Sequence, residues 1–392
     1  MAAIRPSGIY DVTYEQDMSI YRTRVDWFWG IFIVGFLILL PLLTNEGPLG
    51  SSMLSVAFIG TITNIFIFII AVSGLNILLG YTGQISLGQA AFIMVGAYSS
   101  QVLVDQFGWN FFLAFPVVIL FTGFVGILFG LPSLRVKGFY LAMATLAAQF
   151  IIPWFIKAYE GTWFDDGLFG SFGILSEWLA AINLGGATGK QVSAPTIPFT
   201  DIVLRSNLSM YYVALMMVII FGGAARNLVR SRIGRALISV RDNDLAAEQL
   251  GINVFRYKLL AFFLSAVYAG AAGALFAHSA RSISPDAFNL QDSIEYLGML
   301  IIGGLGFPLG ATFGVAFFFL VEDNLIPRIR PIFRDFLPDI LPFIDPVNID
   351  SALLPMLFGL TLVIFLIFEP RGLAYRWAIM QASWKLRPFS QA

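Results

Sequence analysis

The residues best suited to hold a solute lie in LGYTGQISLGQAAFIMVGAYSS, residues 79–100. There Tyr81, Thr82, Gln84, Ser86 and Gln89 are interleaved with Gly80, Gly83, Gly88 and Gly96. Glycines at this density loosen a helix and let other backbones approach closely. Non-helical backbone at membrane depth persists only where protein or a water-filled cavity satisfies it. The released N–H and C=O groups, with uncharged hydroxyls and amides, suit a zwitterionic or amide-bearing solute, much as broken helices do near a membrane midplane. Asn64 and Asn76 lie in the preceding apolar run. Both are costly to expose to lipid, so each needs a partner or water. Tight helix packing, with Ser and Thr bonded back to their own backbone, explains the same composition, and the residue types leave both readings open.

A second polar segment, residues 226–258, reads RNLVRSRIGRALISVRDNDLAAEQLGINVFRYK. After its arginines, Asp242, Asn243 and Asp244 offer cap and first-turn residues that suit the positive end of a helix dipole. Leu245, Ala246, Ala247, Glu248 and Leu250 carry the helix for fewer than two turns, and Gly251 supplies a left-handed stop. A helix this short does not persist alone in water, so it packs on its own chain or on a partner. Small Ala246 and Ala247 beside Leu245 and Leu250 leave a narrow surface that fits a groove. A connector helix lying on the membrane is the alternative. The arginines before it read as topology anchors.

Both segments must be positioned by a chain of 392 residues that is 58% hydrophobic and 12% charged. Soluble domains carry about 25% charged residues, so the composition specifies an all-α, polytopic membrane protein. The absence of Cys excludes disulfides, thiolate metal sites and Cys nucleophiles, and a single histidine, His278, argues against a His-based metal site or triad. Neither metal nor cofactor is expected. No phosphate-binding loop is present: the nearest string, GGATGKQ at 185–191, has Gln191 where Ser or Thr must ligate magnesium. The chain is therefore expected to be no enzyme, and active transport would draw its energy from another subunit. The predicted span cores hold no ionisable residue, with Glu295 and His278 at predicted ends and open to water. That disfavours an ion-coupled transporter and leaves a stand-alone passive channel or uniporter possible.

Apolar runs predict about ten transmembrane helices (eight to ten), near 27–43, 53–74, 90–105, 111–131, 139–156, 209–223, 259–279, 295–304, 309–321 and 352–368. The pair around 295–321, broken by Gly303, Gly304 and Gly306, reads as one kinked span or two, with the charge pattern favouring two. No cleavable leader is visible before the first span. With the N-terminus inside, sixteen Lys and Arg fall on inner segments and seven on outer ones, so both termini are expected in the cytoplasm. The organisation is then a cytoplasmic N-terminal segment (1–26), a transmembrane domain (27–368) and a cytoplasmic tail (369–392). The domain carries outer loops at 157–208 and 322–351 and a cytoplasmic loop at 224–258; Ile174–Leu184 is an interfacial candidate, and the prolines of 322–351 argue against a long helix there.

GYTGQISLGQAAF (80–92), GRALISVRDNDLAAEQLGINVFRYKLLAFFLSAVYAGAAGAL (234–275) and IGGLGFPLGATFG (302–314) resemble the branched-chain amino-acid ABC importer permeases, in particular the LivM-type subunit. The N-terminal YEQDMSIYRTRVDW fits the same group. The resemblance implies a permease in the bacterial inner membrane, paired with a homologous second permease, two cytoplasmic ATP-binding subunits and an extracytoplasmic solute-binding protein. Membrane lipid is its surround, and no nucleic acid is involved. It further implies that Asp244–Gly251 is the coupling helix docked on an ATPase. The sequence departs from the family twice. Gln89 stands where the family usually has histidine, and GTWFDDGLFG (161–170) replaces a Thr/Gly-Gly…Asn-Gly-Leu pattern. The second departure leaves urea and short amides open as alternative solutes.

Overall fold

A computed structural model describes residues 24–43, 55–133, 139–158, 184, 189–195, 207–331 and 346–386. Helices occupy all ten expected positions. They are α1 (Arg24–Leu39, with a 3-10 turn Leu40–Leu43), α2 (Val56–Leu75, extended by a π turn Asn76–Gly80), α3 (Gln89–Gln101, extended by a π turn Val102–Gln106), α4 (Phe111–Ser133) and α5 (Phe139–Ala158). Then follow α6 (Asn207–Arg230), α7 (Arg232–Asp242), α8 (Asp244–Gln249), α9 (Val254–Ala280), α10 (Leu290–Gly303), α11 (Gly310–Leu320), α12 (Pro346–Phe368) and α13 (Leu373–Leu386). A two-residue strand β1 (Lys190–Gln191) pairs antiparallel with β2 (Ser282–Ile283).

Among the described residues, six helices are long and apolar enough to cross a membrane, or seven if the bent pair Pro355–Phe368 and Leu373–Ser383 forms one span. The expected helices are thus present, but length and composition qualify fewer than ten as independent spans. The physical reason is plain for α10, whose 14 residues reach only about 21 Å.

α9 packs against α2, α3 and α4. Small residues make this possible: Ala269, Ala271, Ala272 and Ala274 are buried, and a methyl group added at Gly96 of α3 would overlap the Gly270 backbone. Close approach of this kind replaces hydrophobic drive as the force holding helices together in lipid. α10 and α11 run back beside one another as two helices, since a methyl at Gly303 would strike Gly310 and one at Gly314 would strike Met299.

Long-range contacts sort the chain into two ends. At one, the α2–α3 junction, α7, the α10–α11 turn and the start of α13 meet: Arg241 reaches Gly80, and Gly372 abuts Gly304. At the other, His278, Ser100, Ser193, Lys157 and Asp286 meet. The first end gathers segments that the charge count assigns inside, and the second gathers segments that it assigns outside.

Two expectations need correction. The outer segment expected from 322 starts later, because α11 continues through a π turn (Val321–Leu325) and helical residues 326–331. Pro327 follows that π turn, where the regular hydrogen-bond ladder is already interrupted. Glu322 and Asp323 consequently lie on a membrane-span candidate, and Asp323 accepts a 2.7 Å bond from Thr61 in α2. His278 is not an interfacial side chain either: it is fully buried, between Ser100 Oγ (2.9 Å) and the Ser193 carbonyl (2.8 Å). Its partners come from distant segments, which no local pattern reveals. Residues 161–170 and 174–183 lie outside the described residues.

Candidate coupling and pathway site

The inner loop folds as two helices. Ser231 caps α7, its hydroxyl accepting from Gly234 N at 3.3 Å. α7 is amphipathic, with Gly234, Ala236, Leu237 and Val240 buried. One residue later Asn243, extended at φ −162°, caps α8 by accepting from Ala246 N at 3.0 Å. Gly251, at φ +83°, closes the end: its N–H donates to Glu248 O (2.9 Å) and that of Ile252 to Ala247 O (3.0 Å). A side chain there would be strained, so glycine is required for the stop. Lys258 of α9 pairs with Asp244 at 2.5 Å and ties α8 back to the bundle.

The exposed surface of α8 differs from the expected one in a single residue. Leu245 is 66% and Leu250 80% exposed, with Ala246 and Glu248 beside them, whereas Ala247 is 1% exposed and faces the chain itself. Ala247 therefore seats α8, and the two leucines project from it.

The α2–α3 junction packs under α7. Asn76 clamps the α10–α11 turn, its Nδ2 donating to Phe307 O and its Oδ1 accepting from Gly306 N, both at 2.9 Å. Gly306 adopts φ +75°, and a methyl on Gly80 would lie 2.6 Å from Gly306 N. Gly303, Gly304 and Gly306 thus form a true helix break. Arg241 completes the cluster, with Nη1 donating to Gly80 O at 2.8 Å. The reading of the arginines as topology anchors alone is corrected at this position. No signal in the sequence pairs Arg241 with Gly80; only the fold does.

Most of the remaining polar candidates are buried within the chain. Tyr81 is buried, and the Thr82 hydroxyl donates back to Leu78 O. Gly83 is exposed at φ +69°. Gln84 Nε2 donates to Thr82 Oγ1 at 2.9 Å and reaches Lys258 O at 3.5 Å, while its buried Oε1 accepts no bond among the described residues. Ser86 accepts from Gly88 N at 3.4 Å. Gln89 is fully buried deeper in the bundle, bonding Ala71 O at 3.0 Å and accepting from Ser265 at 3.3 Å. Its amide thus bridges three helices, α2, α3 and α9. Asn64 is half-buried about three turns up α2 and stands apart from this cluster.

Residues 57–366 match the family described as the branched-chain amino acid transport system permease component. The chain is 30% identical over 350 residues to the high-affinity branched-chain amino acid transport system permease protein LivM of Escherichia coli, covering 88% of this chain and 74% of that protein. It is 30% identical over 324 residues to LivM of Salmonella typhimurium, covering 82% and 71% respectively. A probable branched-chain amino acid transport permease protein LivH of Methanocaldococcus jannaschii is 27% identical over 260 residues, covering 64% of this chain and 75% of that protein. No solved structure matches the chain significantly.

Proposed function

The chain belongs to the permease components of branched-chain amino acid transport systems, and on that premise we propose that it forms half of the pathway of an ATP-driven importer for branched-chain or hydrophobic amino acids. The names of its relatives support the solute class. The observation that carries the mechanism is α8, a six-residue helix whose Leu245 and Leu250 project outward at the basic end of the bundle. Leucines this exposed on so short a helix call for a partner groove.

In this reading a cytoplasmic ATPase grips α8 at the bacterial inner membrane, and a homologous permease completes the pathway. An extracytoplasmic binding protein delivers solute at the His278 end. ATP hydrolysis belongs to the ATPases, and this chain contributes movement. Exposed Gly83 marks the inner mouth of the pathway with Tyr81, Thr82, Gln84 and Ser86 buried behind it, and opening of the α2–α3 junction brings Gln84 Oε1, which accepts no bond among the described residues, to a solute ammonium. Half-buried Asn64 lies further out, and fully buried Gln89 braces the bundle behind it.

Reconstitution into vesicles with and without the ATPases tests this. Leucine uptake is expected only with ATPases and ATP together. ATP-independent uptake by this chain alone would identify a passive channel, and uptake of urea or short amides without leucine would reassign the solute.

A further inference from the structure

Three irregular backbones meet at one side chain. Arg241 lies in the last turn of α7, three residues before α8 begins. Its Nε and Nη2 bond Asp242 Oδ1 at 3.1 and 2.9 Å, which fixes the guanidinium plane and leaves Nη1 to meet Gly80 O at 2.8 Å. A methyl on Gly306 would lie 3.0 Å from that same Nη1, and one on Gly83 would lie 3.3 Å from Arg241 Cγ. The side chain is 38% exposed, so it is not a deeply buried charge held only by the fold.

The partner atom matters as much as the donor. Gly80 ends the π turn that extends α2, where a helix leaves carbonyls without intrahelical partners and a cation is favoured. Bonds at such an end can be exchanged without breaking a regular ladder. Gly80 is also pressed against Gly306, whose N–H donates to the Asn76 side-chain Oδ1. Only Asp242 and the cap Asn243 separate Arg241 from α8, while its side chain touches the end of α2 and the α10–α11 turn.

We infer that Arg241 is the positioning residue through which movement of the ATPase-facing helix α8 reaches the helix breaks at Gly80 and Gly306. This deepens the importer reading and rests on it. It assigns Arg241 to coupling, distinct from docking, because the side chain points to its own chain's breaks while Leu245 and Leu250 point outward.

The test is the amount of leucine transported per ATP hydrolysed, in vesicles holding the full complex. Arg241→Ala is expected to keep the ATPases bound and hydrolysing while this ratio falls about tenfold, the scale of one lost hydrogen bond to a charged group. Arg241→Lys, which keeps the charge without the fork that holds Asp242 and Gly80 together, is expected to fall between Ala and the unaltered protein. It also serves as the readout if the Ala variant does not fold and insert. An unchanged ratio in the variant measured, or loss of ATPase binding in it, overturns the inference. The importer reading has its own control: if the unaltered complex takes up leucine without ATP, that reading fails, whatever Arg241 does.

Discussion

The two ends of this molecule are built in opposite ways. The outer end is strapped. His278 is fully buried against the Phe111 ring and bonds both Ser100 and the Ser193 carbonyl. Asp105 accepts from Ser193 N at 3.2 Å, β1 pairs with β2, and Lys157 meets Asp286 at 2.6 Å. The inner end is jointed. There the helices stop, and side chains bond to loose backbone ends: Asn76 to Phe307 and Gly306, and Arg241 to Gly80. On the proposed importer reading, the contrast assigns bending to the joint and holding to the strap.

Three variants sharpen that contrast, in descending order of effect on stability. His278→Ala removes two bonds and packing at the strap, and is expected to cost about 3 kcal/mol. It should lower the thermal midpoint in detergent and leave the leucine-to-ATP ratio unchanged. A reduced ratio would show that the outer end also transmits. Asn76→Ala removes both clamp bonds at the joint, costs about 2 kcal/mol, and lowers the ratio as well as the midpoint. Were the ratio to stay normal, Asn76 would be a packing residue and no more. Leu245→Ser with Leu250→Ser changes stability by less than about 0.5 kcal/mol, because both side chains already face outward, yet is expected to weaken ATPase binding at least about tenfold. Full ATPase recovery on co-purification would remove α8 from the interface.

Much of this was legible in the residues themselves. Apolar runs located the helices, the group Asp242, Asn243 and Asp244 marked the start of α8, of which the fold makes Asn243 the cap, and Gly251 marked its stop. The Gly303–Gly306 break was visible because three glycines and Pro308 fall within six residues, whereas Gly222 and Gly223 alone leave α6 unbroken. What stayed hidden depends on partners distant in sequence. His278 looked like a lone histidine at a helix end, and only packing brings Ser100 and Ser193 to its two nitrogens. Arg241 looked like one of several topology charges until Gly80 lay beneath it. Ala247 and Ala246 are adjacent small residues, and the rotation of α8 alone decides that one is buried and the other exposed.

The claim that the joint moves while the strap holds is tested most directly by amide hydrogen exchange on the full complex, with and without ATP. Gly306 N–H, bonded to Asn76 Oδ1, reports the joint, and Val192 N–H, bonded to Arg281 O at 2.9 Å, reports the strap. ATP is expected to change exchange at Gly306 and in the 80–84 segment while leaving Val192 and Ser193 unchanged. Equal change at both ends, or change confined to Val192 and Ser193, would contradict it.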